Sequence, residues 1–440
     1  MSLSLKRLKE MMISNGVEQL YLKKLSPNDN SKNQIYLGGN YSSLNVLPVK
    51  EIYTDGGKKA GSIRDRYKAN LNFYWIDKNG IYFAKNAQLI LYPKYPEVRL
   101  SGFLLGCKNA PSHLLRVRDE GRIMFFGITK DGRLICYVAS PDSDIAREIA
   151  SAKEPEMIGV FQKVPLSKTD DNSKQILLAK LLAIHQKDWI DSWRLSKTGH
   201  RLPCESPNCG GCTLEAEFGI SANGYAEPDF MGWEIKQYGV TKLENIYSGG
   251  PVTLMTPEPT KGIYKDKGVD FFIRKFGYKD KLGREDRFNF GGVHKFNSVT
   301  PSTGLKMILD GYDDKSGKII KPDGGLTLIS KKDEIAAVWT FADLMAHWNK
   351  KHAKAVYVPS LSRKSPGRQY KYGDNVRIAE GTDFNLFLSA IAKGVIYYDP
   401  GIKLEGASSA KPKIKKRSQF RVKNKNLNTL YKKVDIELLD

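Results

Sequence analysis

Nine residues, Pro228-Asp-Phe-Met-Gly-Trp-Glu-Ile-Lys236, restrict the architecture of this chain more than any other stretch. Glycine lacks a Cβ and accepts backbone conformations that other residues avoid, so Gly232 marks a sharp turn. Beyond it, an extended strand points successive side chains to opposite faces. Trp233 and Ile235 then enter a core, while Glu234 and Lys236 share the other face. Asp229, just before the turn, comes back beside Glu234. The expected result is a sheet with one buried face and one face carrying two carboxylates and an ammonium. The plainer reading is a surface strand with an ordinary salt bridge, because acid-x-Lys is common by chance.

That constellation has a definite chemistry. Two carboxylates, here Asp229 and Glu234, suffice to hold a Mg2+ ion that keeps some of its waters. Such an ion stabilises charge on a phosphate and lowers the pKa of attacking water. A lysine alongside, here Lys236, orients that water and offsets charge on the phosphate oxygens. Glu215 lies upstream on a helix expected over 213–218 and is a candidate third carboxylate. Its alternative role is a first-turn acid favoured by the helix dipole.

A chain of 440 residues exceeds one small domain. Residues 20–165 read mostly as strands. Short apolar runs (Ile81–Ala84, Gln88–Tyr92, Val98–Phe103, Arg122–Phe126, Leu134–Val138) are punctuated by Gly, Pro, Asn and Asp. The polar stretch Ser167–Lys174 is the expected linker. Helical periodicity then runs from Gln175 to Trp193. A mixed pattern follows: a strand at Trp233–Lys236, a helix at Ile335–Trp348, a strand at Ala355–Val358, a helix at Phe384–Ala392 and a strand at Val395–Tyr398. The expected layout is a β-rich domain over 1–168 and an α/β (α+β) domain over 169–440.

Seventy Lys and Arg against 48 Asp and Glu leave a net charge of +22. Residues 1–190 hold 29 basic and 19 acidic side chains, so the charge is spread along the chain. A polyanion such as nucleic acid is the natural partner, against the alternative of a basic surface selected for solubility. Lys411 to Lys433 contains ten Lys or Arg and no acid. Ile414, Phe420, Val422 and Leu427 within it argue for folded structure rather than a tail. If residues 415–421 form a strand, Arg417, Gln419 and Arg421 share a face. Arg reads guanine and Gln reads adenine in the major groove, whereas anchoring on phosphate needs only charge. Arg64, Arg66 and Lys68 alternate in the same way and are candidates to line a DNA face in the first domain.

No apolar run reaches the ~18 residues of a membrane span. The N-terminal residues lack the apolar stretch of a secretory signal, so the expected location is cytoplasmic, with no membrane partner. Five cysteines, an odd number, argue against a disulfide framework. His200, Cys204, Cys209 and Cys212 cluster, but their spacing fits a zinc site poorly, and none is expected. The stretch Gly311 to Lys318 departs from a phosphate-binding loop, with Ile319 where Ser or Thr is required. His347 and His352 have the wrong helical spacing for a metal pair, and a solvated helix end is expected. His294 is expected in a loop.

The segments Thr213-Leu-Glu, Phe218-Gly-Ile and Pro228-Asp-Phe-Met-Gly-Trp-Glu-Ile-Lys236 strongly resemble the MvaI/BcnI restriction endonucleases. These are relatives of the mismatch-repair nickase MutH in the PD-(D/E)XK superfamily. The resemblance runs from about Gln175 to the C-terminus. It includes Thr300–Tyr312 and Val395-Ile-Tyr-Tyr-Asp-Pro-Gly-Ile-Lys403. It implies a Mg2+-dependent DNA endonuclease with Asp229, Glu234 and Lys236 as the catalytic triad and Glu215 as accessory carboxylate. It further implies a compact monomer and a short CC-N-GG site, CCWGG first. The thiol-rich loop is outside that pattern. Upstream, Tyr21–Tyr36 is similar to the start of the EcoRII effector domain, a DNA-binding pseudobarrel. The combination resembles a Type IIE layout, in which a second DNA site is bound. Two other readings compete. One is a repair nickase recruited by a partner, which a self-contained DNA-binding domain disfavours. The other is an inert DNA-binding regulator, which the intact triad disfavours.

Overall fold

The structure, a computed structural model, describes residues 3–27, 33–56, 58–59, 62–63, 65–117, 119–152, 156–166, 172–206, 208–221 and 228–440. Arg64, residues 28–32 of the Tyr21–Tyr36 segment and residues 167–171 of the expected linker lie outside them. The chain divides into two compact units, residues 1–173 and 174–440.

In the first unit the alternating runs pair into two sheets. One has seven strands, in the order Met157–Ile158, Phe161–Val164, Val17–Lys24, Ile123–Thr129, Arg133–Ala139, Asn72–Asp77, Gly80–Phe83. All its pairings are antiparallel except that between Arg133–Ala139 and Asn72–Asp77. The other has five, in the order Ile35–Tyr36, Glu97–Ser101, Gln88–Tyr92, Tyr67–Asn70, Tyr53–Thr54. Two short helices, Leu5–Ser14 and Asp144–Ser151, add to the strand reading. Each starts at a serine whose hydroxyl accepts a backbone N–H, Ser4 from Arg7 and Ser143 from Ala146. Their apolar faces place Leu8, Met12 and Ile145 in one core with Leu20, Leu22, Phe125 and Ile135.

The second unit opens with the helix Ser173–His185. Leu177, Leu181 and Ile184 recur at helical spacing, so they share one buried face. The helix stops eight residues before Trp193, the expected end. Asp188 takes a positive φ, Ile190–Asp191 pairs with Gln369–Tyr372, and Trp193–Leu195 pairs with Arg201–Pro203. Strand pairing overrides helical periodicity there. The same happens at Ile335–Thr340, expected to be helical: it is a strand beside Gly325–Ile329. The helix begins only at Phe341, after Thr340 accepts a hydrogen bond from Asp343 N.

The central sheet of this unit runs Ile190–Asp191, Gln369–Tyr372, Lys354–Arg363, Asn375–Glu380, Lys433–Leu438. The strand Glu234–Gly239 lies parallel to Lys354–Arg363, with Glu234 opposite Ala355 and Lys236 opposite Tyr357. Trp233, Ile235, Val356 and Val358 pack with the helix Ser173–His185 on one face. Among the described residues no helix is long and apolar enough to cross a membrane.

Candidate active site

The chain reverses tightly at Phe230-Met231-Gly232-Trp233. Phe230 and Trp233 exchange two backbone hydrogen bonds, of 2.9 and 2.8 Å. Met231 and Gly232 both take positive φ, 47° and 85°, as the two-residue turn that matches the twist of a β-hairpin demands. The reversal carries Asp229 back beside the new strand, where its Oδ2 accepts a 2.9 Å bond from Ile235 N. Trp233 and Ile235 enter the core, as their alternation requires.

Glu234 has no exposed surface. Its Oε1 is ion-paired with Lys236 and, at 3.4 Å, with Lys351 near the end of the helix Phe341–His352. Its Oε2 is buried without a hydrogen-bond partner. Burial raises the Glu234 pKa and so does the Asp229 charge, against the pull of the two lysines. Burial works against the Lys236 ammonium, yet Glu234 and Asp229 outweigh it and raise its pKa.

Glu215 comes from the helix Cys209–Glu217. Thr213 of that helix grips the strand Trp193–Leu195: its Oγ1 donates to Trp193 O and accepts from Trp193 N. Gly219, in the left-handed region, lets the Ile220 N–H close on Glu215 O. Half-buried, Glu215 is pushed up to about 7, first by burial and then by the nearby charge of Asp229, with Glu234 adding. Three carboxylates and two lysines are therefore in electrostatic contact.

The donor set suits a hard divalent cation. It consists of carboxylate oxygens, and one of them, Glu234 Oε2, is buried and unsatisfied. Among the described residues no three His, Cys, Asp or Glu side chains form a ready-made metal cage. Mg2+ needs less: one or two carboxylates, with waters and phosphate oxygens completing its shell.

Lys351 escaped the sequence reading. Only its place one residue before the buried His352 marks it, and nothing local links it to Glu234. His352 also differs from the expected solvated helix end. It is fully buried, with Nε2 against Leu254 O at 3.1 Å and Nδ1 near Tyr431 Oη at 3.3 Å. Tyr431 meets Tyr357 hydroxyl to hydroxyl at 2.7 Å, behind Lys236 in the ladder. Burial, then the charges of Lys236 and Lys351, hold His352 well below the usual histidine pKa. His294 is buried as well, held by Gly292 O and Thr303 Oγ1, and is structural.

The DNA-reading candidates are placed differently from expectation. Residues 416–419 lie between the strands Lys413–Lys415 and Phe420–Val422, so no continuous strand face aligns Arg417, Gln419 and Arg421. Arg417 is exposed and Gln419 half-buried. Arg421 is engaged internally, donating to Asp399 Oδ2 at 2.7 Å and Pro251 O at 3.0 Å. In the first unit, Arg66 and Lys68 both pair with the buried Asp55, at 2.6 and 3.3 Å. A shared carboxylate offsets the charge that was expected to face DNA.

The cysteine expectation is corrected at one point: Cys204 and Cys209 form a disulfide. The helix that starts at Cys209 brings it back against the end of the strand Arg201–Pro203, with 5.7 Å between the two Cα atoms. Cys107, Cys136 and Cys212 are free, and His200 is exposed.

With this geometry in view, comparison with known proteins assigns the class. The sequence profile of the MvaI/BcnI restriction endonuclease family matches residues 178–431, which contain all five charged residues of the site. The chain belongs to the MvaI/BcnI restriction endonuclease family. Among solved structures, the complex of restriction endonuclease MvaI with its cognate DNA substrate is 19% identical. The match spans 61% of this chain and 98% of that one, with a TM-score of 0.45. MvaI in the absence of DNA is 18% identical over 62% and 100%, with a TM-score of 0.33. No curated protein gives a match.

Proposed function

We propose that the second unit is a Mg2+-dependent endonuclease that cuts double-stranded DNA at a short CC-N-GG site, CCWGG first. The observation that carries this reading is Glu234 itself. It is a fully buried carboxylate with one oxygen held by two lysines and the other unsatisfied, beside Asp229 and Glu215. Asp229 and Glu234 would hold the cation, which when bound supplies Lewis acidity toward a phosphate oxygen and toward water. Lys236 holds its proton against burial and presents it at the edge of the site, where it orients water and offsets phosphate charge. Lys351 neutralises part of the Glu234 charge at the same oxygen, Oε1. Glu215, poised near neutrality, accepts a proton from that water.

The first unit is, in this proposal, a pseudobarrel-type effector that binds a second DNA site, giving a cytoplasmic Type IIE monomer. Its net positive charge and β-rich fold support the reading. The direct test is to incubate the protein with plasmid and Mg2+ and to sequence the ends. Uniform ends within one short motif are expected; random ends or intact plasmid refute the reading.

A further inference from the structure

The first unit contains a cavity of about 210 Å3 between the strand Val17–Lys24 and the Ile35–Tyr36/Glu97–Ser101 edge of the second sheet. Lys23, Arg99 and Arg122 line it, with Gln34, Ser26 and Tyr36. Among the described residues no carboxylate lines it. Arg99 is compensated by Glu97, with Gln34 as a further acceptor. Arg122 has the nearby charge of Asp119, whereas Lys23 has no such acid among the described residues. Lys23 is 8% exposed, and its Nζ donates only to its neighbour's carbonyl, Lys24 O, at 3.0 Å. Arg122 is 1% exposed and spends its guanidinium on three backbone carbonyls, those of Asp119, Leu114 and Ser26.

Burying a charge without a counter-charge is expensive. Burial alone depresses the Lys23 pKa, with no acid to offset it. Arg122 has a clear structural task, tying three backbone carbonyls together. Lys23 has none that an uncharged side chain of the same length could not perform. Among the described residues no acid lines the cavity beside this buried ammonium, and an entering anion would complete it.

We propose that this cavity is an oxyanion site that takes a backbone phosphate of nucleic acid, with Lys23 and Arg99 as its donors. Tyr36, half exposed at the rim, offers its ring and hydroxyl to the adjoining sugar. The proposal rests on the reading of the first unit as a DNA-binding effector. It moves the contact from Arg66 and Lys68, which Asp55 neutralises, to a site whose buried ammonium, Lys23, has no carboxylate partner among the described residues. A free phosphate shares the chemistry, so the test must separate the two sources.

The full-length chain serves for both arms. In the first, thermal unfolding is followed in inorganic phosphate and in chloride at matched ionic strength. Phosphate should raise the first unit's transition in wild type and not in Lys23→Met. Without phosphate, Lys23→Met should unfold at or above the wild-type temperature, because it removes an uncompensated buried charge. In the second, a short duplex carrying the site is added to single-site plasmid. Lys23→Met and Arg99→Gln should need at least tenfold more duplex for the same stimulation, with unstimulated cleavage unchanged. The salt dependence of duplex binding should fall by roughly one released counterion.

A Lys23→Met protein less stable than wild type, with an intact duplex response, makes Lys23 a packing residue and overturns the proposal. A phosphate shift with an unchanged duplex response makes the cavity a free-anion pocket and overturns the nucleic-acid assignment. A wild type indifferent to added duplex refutes the second-site reading itself. The salt slope of Lys23→Met then decides the cavity separately, and an unchanged slope overturns it.

Discussion

Glu234 carries a charge where burial opposes it, and its neighbours determine what that charge can do. Removing a charged partner from a buried cluster leaves the remainder uncompensated. Asp229→Ala and Lys236→Ala should therefore keep site-specific DNA binding and lose cleavage; full cleavage by either, in a single-turnover assay, refutes the assignment. Lys351→Met should slow cleavage by about 10²–10³-fold, the scale of one lost electrostatic contact, with the DNA dissociation constant nearly unchanged. Glu215 gives a signed pH effect. Its folded pKa, about 7, lies above the usual 4.5. The folded state thus binds the proton more tightly, and stability falls as pH rises from about 4.5 through 7. Urea midpoints of metal-free protein should show that decline, and Glu215→Gln should flatten it. A wild-type profile that is flat or rising across this window sinks the assignment.

At the scale of elements, the site depends on one turn and two helices. The turn places a methionine, Met231, in the left-handed region, where a side chain costs roughly 1–2 kcal/mol. Met231 is 43% exposed, so it repays little of that by packing. Met231→Asn, which suits this turn type, should stabilise the second unit by roughly 1 kcal/mol in chemical denaturation. Gly232→Val should do the opposite by a similar amount and also slow cleavage, because Asp229 is delivered by the same reversal. If both variants match wild type, the turn geometry is wrong. The helices enter from distant parts of the chain. Cys209–Glu217 brings Glu215 and Phe341–His352 brings Lys351.

At the scale of the whole molecule the chain forms two compact units, to which the proposal gives different tasks. The family profile covers 178–431, within the second unit alone. Deleting residues 1–173 should leave a folded nuclease that cuts its site at a rate no longer affected by a second site. The proposed monomer has one catalytic centre, so it should cut duplex strands in turn, and nicked plasmid should accumulate before linear product. If the truncated protein still responds to a second site, the effector role falls. In that proposal tethering supplies the benefit: a second bound site would raise the local concentration of DNA near the catalytic unit.

By itself the amino-acid sequence determined what depends on neighbours along the chain. The run Trp233–Lys236 alternates, so Glu234 and Lys236 had to share a face opposite Trp233 and Ile235. Gly232 had to turn, and Asp229 had to return. The strands Gln88–Tyr92 and Arg133–Ala139 and the helix Phe384–Ala392 follow from the same local logic. Tertiary structure decided whatever depends on partners remote in the chain. Lys351 reaches Glu234 only because the Phe341–His352 helix leads into the strand beside it. Arg421, Arg66 and Lys68 look free in the sequence, but Asp399 and Asp55 claim them. Ile335–Thr340 has apolar residues enough for a helix, but the neighbouring strand Gly325–Ile329 takes its backbone hydrogen bonds. Charge in a sequence is a count; whether it faces solvent, a carboxylate or an empty cavity depends on which side chains the fold places around it.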